Sequence, residues 1–409
     1  MRRIYLLALL LGMGSSAFAG GYRVALQGVR QASMGNTGVV HAKDASVAFF
    51  NPAGLAFVEG KVSIAAGGFG IQNNVAWQNA STLEKAETDS PLGTPIYFAA
   101  SYRPIEDVTI GVSFTTPFGS TVKWPDTWAG QANITQIELK SYFIQPTIAI
   151  KFNEWFSAGA GFIYGIGSVN LQRTMNVAGN DIGLEIDDTN AHGLGFNIGA
   201  YFKPSKKVSV GLSYRSKVDM KANDGEVTWT NVPSGLSTSM PFTTSEFNAM
   251  LPLVSEFMGG VSYQVTPKLM LTGEVSVHGW GKYKNLDIQL ENTETGETYD
   301  SKAKKNFIDR AVWKIGGEYQ ASDLLAIRLG YYFDEYVSPR EHWSPETPDA
   351  TRHGFTAGLG LNFGGFNVDA FGQYTLGVER YVHNVETGFQ GDVNLSAFLF
   401  GLGLSYNFN

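Results

Sequence analysis

No cysteine occurs anywhere in the 409 residues, which excludes disulfides, CxxC redox centres and thiolate metal sites. Charge is scarce too: Asp, Glu, Lys and Arg make up 16% of the chain, and their balance is acidic at -7. Nucleic-acid binding needs a basic footprint, so no nucleic-acid partner is expected. No stretch reaches the roughly 18 consecutive apolar residues of a transmembrane helix. The 6 His are scattered at 41, 192, 278, 342, 353 and 383, with no i/i+4 pair and no HExxH to suggest zinc. A GxSxG elbow, a P-loop and a GxGxxG leading into a helix are likewise missing. Neither an enzyme nor a cofactor nor a metal site is expected.

What is there begins with an export signal. Arg2 and Arg3 precede an apolar run from Ile4 to Leu11, and Ala17-Phe18-Ala19 forms a small-x-small cleavage site before Gly20. Residues 1–19 are expected to be a cleaved signal peptide. Their loss removes two arginines and takes the formal charge from -7 to -9.

From Lys61 onward, segments of about ten residues or more alternate apolar with small or polar residues, the pattern of strands. They fall near 61–74, 95–104, 108–119, 134–153, 156–177, 191–204 and 208–229 in the first half. The rest lie near 253–266, 269–289, 306–321, 325–337, 351–364, 366–384 and 393–408. That makes fourteen, an even number, as single-chain outer-membrane barrels of bacteria require. Tight connections ("RPIED", "NEW", "KPSKK", "VTPKL", "ASDLL", "FGGF") alternate without a break with long polar ones. The long ones include "WQNASTLEKAETDSPLG", "AGNDIGLEIDDTNAH" and "ENTETGETYDSKAKK". Short periplasmic turns and long external loops produce this parity.

The faces of these strands are chemically distinct. In the last, Phe398, Phe400, Leu402, Leu404, Tyr406 and Phe408 share one side, opposite Gly401, Gly403, Ser405 and Asn407. Arg103, Arg215, Glu256, Glu274 and Asp369 likewise fall opposite the greasier side of their strands. A charge facing lipid near the midplane costs about 2–4 kcal/mol, so this segregation is expected of a barrel wall in lipid. The sequence therefore predicts an all-β fold: a 14-stranded antiparallel transmembrane β-barrel over 61–409, with 20–60 as an N-terminal hatch inside the lumen.

The hatch assignment rests on "AFFNPAGLAF", residues 48–57. Pro52 lacks a backbone donor and pushes Asn51 out of the α region, so neither a long helix nor a central strand runs through. Such irregular apolar backbone is tolerated at membrane depth only inside protein or beside a water-filled cavity. A barrel this wide also needs filling.

The stretch "DASVAFFNPAGLA" resembles the Asn-Pro-Ala hatch of the long-chain fatty acid transporter family, the FadL/TodX-like outer-membrane proteins. "IGVSFTTPFGSTVKWPDTWAG", "LPLVSEFMGGVSYQVTPKLMLTGEVSVHGWGKY" and "IRLGYYFDEYVSPREHWSPETPDATRHGFTAGLGL" are similar to that family too, whose Pro-x-Pro in the sixth outer loop is only partly kept here. The resemblance implies passive uptake of a hydrophobic small molecule, a fatty acid or an aromatic hydrocarbon, across a Gram-negative outer membrane. It implies a hatch carried by Asn51, Pro52 and Ala53, with Phe49 and Phe50 beside them. It also implies a sideways exit at a kinked third strand, matched by Thr116, Pro117, Phe118 and Gly119. Pro and Gly are the physical cause of such a kink.

Two further groups have less specific signals. The inward cations Arg310, Lys314, Arg328 and Arg352 could meet a ligand carboxylate, but a barrel-filling network with Glu318, Glu256 and Asp369 is the favoured expectation, since buried charges must be paired. Trp124 and Trp128 with Phe242, Phe247, Met250 and Leu251 suit an outer landing groove, or equally loop packing and an aromatic belt. The partners expected are the ligand and outer-membrane lipid with lipopolysaccharide, with a monomer favoured. An open porin and an adhesin-like barrel are the alternatives of another class.

Overall fold

The computed structural model describes residues 20–408. The expected signal peptide lies outside the described residues. Fourteen antiparallel strands follow one another in chain order. They are β1 (Val62–Gln78), β2 (Ile96–Ile105), β3 (Val108–Thr115, resuming at Gly119–Lys123), β4 (Gln136–Asn153) and β5 (Phe156–Val177). Then come β6 (Asn180–Ser205), β7 (Val208–Arg215 and Val218–Thr230), β8 (Glu246–Leu253 and Glu256–Thr266) and β9 (Leu269–His278 and Asn285–Glu291). The last are β10 (Thr298–Lys304 and Arg310–Gln320), β11 (Leu325–Asp334), β12 (Arg352–Asn362), β13 (Phe366–Gly377 and Arg380–His383) and β14 (Gln390–Phe408). β14 closes on β1 from Phe408 opposite Val62 to Asp392 opposite Gln78. Closure pairs the first strand with the last, which is what lets a sheet cross lipid.

The faces sort as the alternation requires. Leu402 is 65% exposed and Phe355 51%, whereas Arg215, Lys314 and Arg352 point inward and are buried. Tight turns such as 106–107 and 206–207 gather at the end where β1 begins and β14 finishes.

Two connections and one strand stand out against the expectation. The stretch 178–192 is not a loop: β5 and β6 continue as one long hairpin to Ala178 and Gly179, whose φ of 51 and 82 fit a two-residue turn. Ile182, Leu184 and Ile186 already carry the strand period there, and all three are buried. The stretch 291–305 likewise holds a hairpin, Asn285–Glu291 against Thr298–Lys304. The third strand, expected unbroken over 108–119, stops at Thr115 and resumes at Gly119.

Residues 20–60 fill the lumen. Short helices α1 (Val29–Ala32) and α2 (Val47–Phe50) lead to a 3₁₀ turn over Pro52–Phe57. Asn51 caps that turn: its extended backbone ends α2, and its Oδ1 accepts from Ala53 N at 3.1 Å. Pro52 then occupies a first-turn position, where its missing donor costs nothing.

Candidate functional site

The broken β3 is where the wall departs from a regular ladder. Thr115 opposes Phe143 and Gly119 opposes Lys140 on β4. Four steps on one strand therefore face three on the other, which is a one-residue bulge. Pro117 supplies the residue that cannot donate to a ladder. Side chains take over the lost pairing. Ser141 Oγ donates to Phe118 O at 2.7 Å, and Thr116 Oγ1 donates to Ile96 O at 3.1 Å. Above the break, the ladder partners of β3 are all on β4. The opposite edge has no ladder: there Asp89 N donates to Lys123 O at 2.9 Å, and residues 91–95 form no strand.

The inner side of the break is paired by the N-terminal segment. Val24 N donates to Pro117 O at 2.8 Å and Gly119 N to Tyr22 O at 2.9 Å. Arg23 and Phe118 form an isolated antiparallel bridge. Residues 22–24 thus lie along the gap as a short strand.

A cavity of about 600 Å³ opens beside this strand. It runs from Arg23, Asn36 and Gln373 in the lumen to Leu92, Pro95 and Ile96 at the wall. Leu92 and Ile96 are exposed. A smaller cavity of about 80 Å³ lies toward the outer loops, lined by Tyr22, Leu139, Leu171, Phe247 and Leu251 among others. Phe118 and Gly119 belong to both linings. Of the kink residues, Thr116, Phe118 and Gly119 face the larger cavity, while Pro117 holds the N-terminal strand through its carbonyl.

The turn at Asn51-Pro52-Ala53 is buried against the wall of β4 to β7. Asn51 Nδ2 donates to Val39 O and Ala200 O, both at 3.1 Å, and Ser157 Oγ donates to Ala53 O at 2.8 Å. Phe49 and Phe50 pack edge to face at 5.2 Å, and the Arg215 guanidinium sits 3.7 Å over the Phe49 ring. Arg215 also donates to Phe49 O and reaches Glu256 at 3.3 Å. Glu256 is shared with His278 and with Arg23 of the N-terminal strand. One carboxylate therefore ties the strand at the gap to the turn deeper in the lumen.

The four inward cations are not gathered at one place. Lys314 lines the larger cavity and is paired with Glu274 at 2.8 Å. Arg328 lies between Glu318, at 2.6 Å, and Asp369. It lines a separate polar cavity of about 420 Å³ with Arg30 and Asp44. Arg352 is paired with Asp334 at 3.3 Å and Asp349 at 3.2 Å. Arg310 donates to Tyr336 O at 3.4 Å. Burial explains the pairing of the first three, since an unpaired charge in the lumen is costly.

The aromatic groove expected at the outer loops is divided as well. Trp124 and Trp128 stack at 4.1 Å, and Trp128 packs on Trp77 and Phe389 at 5.8 and 5.5 Å. Both are buried, with indole N–H groups donating to Pro345 O and Ile134 O. They form the core under the loops and line neither of the two cavities at the break. Phe242 packs against Trp229 at 5.1 Å. Phe247, Met250 and Leu251 do line the smaller cavity. Sequence reasoning missed Tyr22, Arg23 and Gln27, because their partners are about a hundred residues or more away.

The chain matches the family described as "Outer membrane protein transport protein (OMPP1/FadL/TodX)" over residues 10–408, and it belongs to that family. It is a β-barrel of the Gram-negative outer membrane, in a family that carries hydrophobic compounds and is not enzymatic. It is 24% identical over 328 residues to the long-chain fatty acid transport protein of Salmonella typhi, covering 73% of each chain. It is 25% identical over 240 residues to outer membrane protein P1 of Haemophilus influenzae, covering 55% of this chain and 49% of that one. Its fold is that of the crystal structure of a Pseudomonas aeruginosa FadL homologue, with a TM-score of 0.82 at 17% identity, covering 95% of this chain and 100% of that one. The P. putida toluene transporter TodX aligns with a TM-score of 0.75 at 14% identity, covering 96% and 100%.

Proposed function

We propose that this protein takes up long-chain fatty acids passively and releases them sideways through the gap at the broken β3. The observation that carries this reading is the larger cavity, which reaches from the lumen to the wall where β3 has lost its outer-end neighbour. Its volume of about 600 Å³ falls within the roughly 300–1,000 Å³ usual for small-molecule sites. A ligand enters between the outer loops at the smaller, apolar cavity and passes Phe118. It reaches the larger cavity when the strand over 22–24 shifts with the Asn51-Pro52-Ala53 hatch. Sideways release keeps the acyl chain out of the aqueous lumen, and burial in lipid stabilises it by about 0.8 kcal/mol per CH₂. No pump or nucleotide is needed.

A second reading, uptake of aromatic hydrocarbons, is favoured by the smaller cavity, whose lining is dominated by Leu, Ile, Phe and Met side chains. Deleting Pro117 removes the surplus residue of the bulge and lets β3 run on as one strand. Labelled oleate and labelled toluene uptake, measured in cells carrying wild type or this deletion, tests both readings. Loss of oleate uptake with a folded barrel is expected. Oleate uptake undiminished by the deletion would exclude the sideways route, and toluene uptake alone would establish the second reading.

A further inference from the structure

The N-terminal segment is fastened before it reaches the gap in β3. Gly20 is buried, and its backbone N donates to Asp334 Oδ2 on β11 at 3.0 Å. The fit there is close: a Cβ on Gly20 would lie 3.4 Å from both Arg352 Nη2 and Asp334 Oδ1. Gly21, at a φ of 62, then turns the chain against Trp280, where a Cβ would collide with the indole ring. Tyr22 packs edge to face on that ring at 5.0 Å, and its hydroxyl donates to Pro252 O at 2.6 Å. The pairing of 22–24 with Pro117 and Gly119 starts from this anchor.

The charges at the anchor do not balance on side chains alone. Asp334 and Asp349 are both buried. Among the described residues, the one cationic side chain in an ion pair with either is Arg352, at 3.3 and 3.2 Å. Two buried carboxylates thus share one guanidinium, and a buried charge left uncompensated is costly. Removal of residues 1–19, expected from Ala17-Phe18-Ala19, changes the nitrogen of Gly20 from an amide into an α-ammonium. A nitrogen that already donates to Asp334 then carries the second positive charge. In a buried site the added Coulomb attraction is screened far less than in water.

We propose that the α-ammonium of Gly20 is a structural cation, paired with Asp334, which positions the 22–24 strand in the gap. Removal of the leader is then the step that completes this part of the wall. The inference goes beyond the uptake reading and does not depend on which ligand the barrel carries.

The test uses the purified full-length barrel as exported. Its first residue, read by intact mass, is expected to be Gly20, and any other start overturns the proposal. Two changes each break the pair. Two serines inserted between Ala19 and Gly20 turn the nitrogen back into an amide, and Asp334→Asn keeps the side-chain shape without its charge. In each, hydrogen exchange read by mass spectrometry should speed up about tenfold in peptides covering 20–30, whose local opening it reports. The insertion alters no side chain of the lumen, so it tests the pair even where Asp334→Asn impairs folding. If ammonium and carboxylate act together, the double variant exchanges no faster than either single one. Unchanged exchange in the insertion variant overturns the proposal, as do single effects that multiply in the double variant.

Discussion

Gln27 and Thr116 are clasped by two hydrogen bonds: Gln27 Nε2 donates to Thr116 O at 3.0 Å, and Thr116 N donates to Gln27 Oε1 at 3.1 Å. The side-chain amide completes the backbone of β3 just where Pro117 interrupts it, so one residue of the hatch does the work of a missing ladder partner. Together with Val24 and Tyr22 it makes the N-terminal segment part of the wall.

Gln27→Leu should free that part without unfolding the barrel. It leaves both backbone groups of Thr116 bare, at a local cost of about 1–3 kcal/mol. Hydrogen exchange read by mass spectrometry should speed up in peptides covering 20–30 and 112–120 and stay unchanged in β11 and β12. Unchanged exchange at the break would mean the clasp holds nothing.

Gly199 is one of the wall glycines, with Gly159, that the hatch turn approaches closely. A Cβ there would lie 2.1 Å from Asn51 Oδ1 and 2.9 Å from Pro52 Cδ. Gly199→Val should therefore push the Asn51-Pro52-Ala53 turn off β6. The expected outcome is higher ion conductance in planar bilayers with fatty-acid uptake reduced several-fold and normal heat-modifiable gel mobility. A conductance identical to wild type would show that the turn does not block the lumen.

A third prediction concerns the outer loops, where Lys305 Nζ donates to Ser344 Oγ at 2.8 Å and to the Glu346 carboxylate. Burial pushes the Glu346 carboxyl up, but the Lys305 ammonium and the Ser344 hydroxyl outweigh it and hold the group below the usual carboxylate range. A depressed carboxyl contributes stability above its unfolded pKa and loses it as pH falls through the folded value. The loop carrying Trp343 should thus resist protease at neutral pH and become cleavable in acid, below the ordinary carboxylate range. Glu346→Gln should be cleavable already at pH 7. If pepsin and trypsin series show the same protection in both proteins, the pair does not hold the loop.

Much of the barrel was legible in the sequence because its rules are local. A strand in lipid must put Phe398, Phe400 and Leu402 on one side and Gly401, Gly403 and Ser405 on the other, and a period of two shows without any knowledge of the neighbours. Pro52 and Pro117 are local too, because each bars a ladder or helix wherever it stands. The same rule was present but overlooked at Ile182, Leu184 and Ile186, where polar residues between them gave the appearance of a loop.

The partners of those faces were decided only by the tertiary structure. Lys314 could not be assigned to Glu274, 40 residues earlier, without the register of β9 against β10, and the inward cations are dispersed because Lys314, Arg328 and Arg352 each meet different carboxylates while Arg310 meets the Tyr336 carbonyl. Trp124 and Trp128 read as a groove, but Trp77 and Phe389 arrive from β1 and the last outer loop to bury them. Above all, nothing near Pro117 in the chain marks Tyr22 to Gln27 as its complement. A broken strand leaves its donors and acceptors to whatever backbone the closed barrel brings beside them, and that is settled by closure, not by spacing along the sequence.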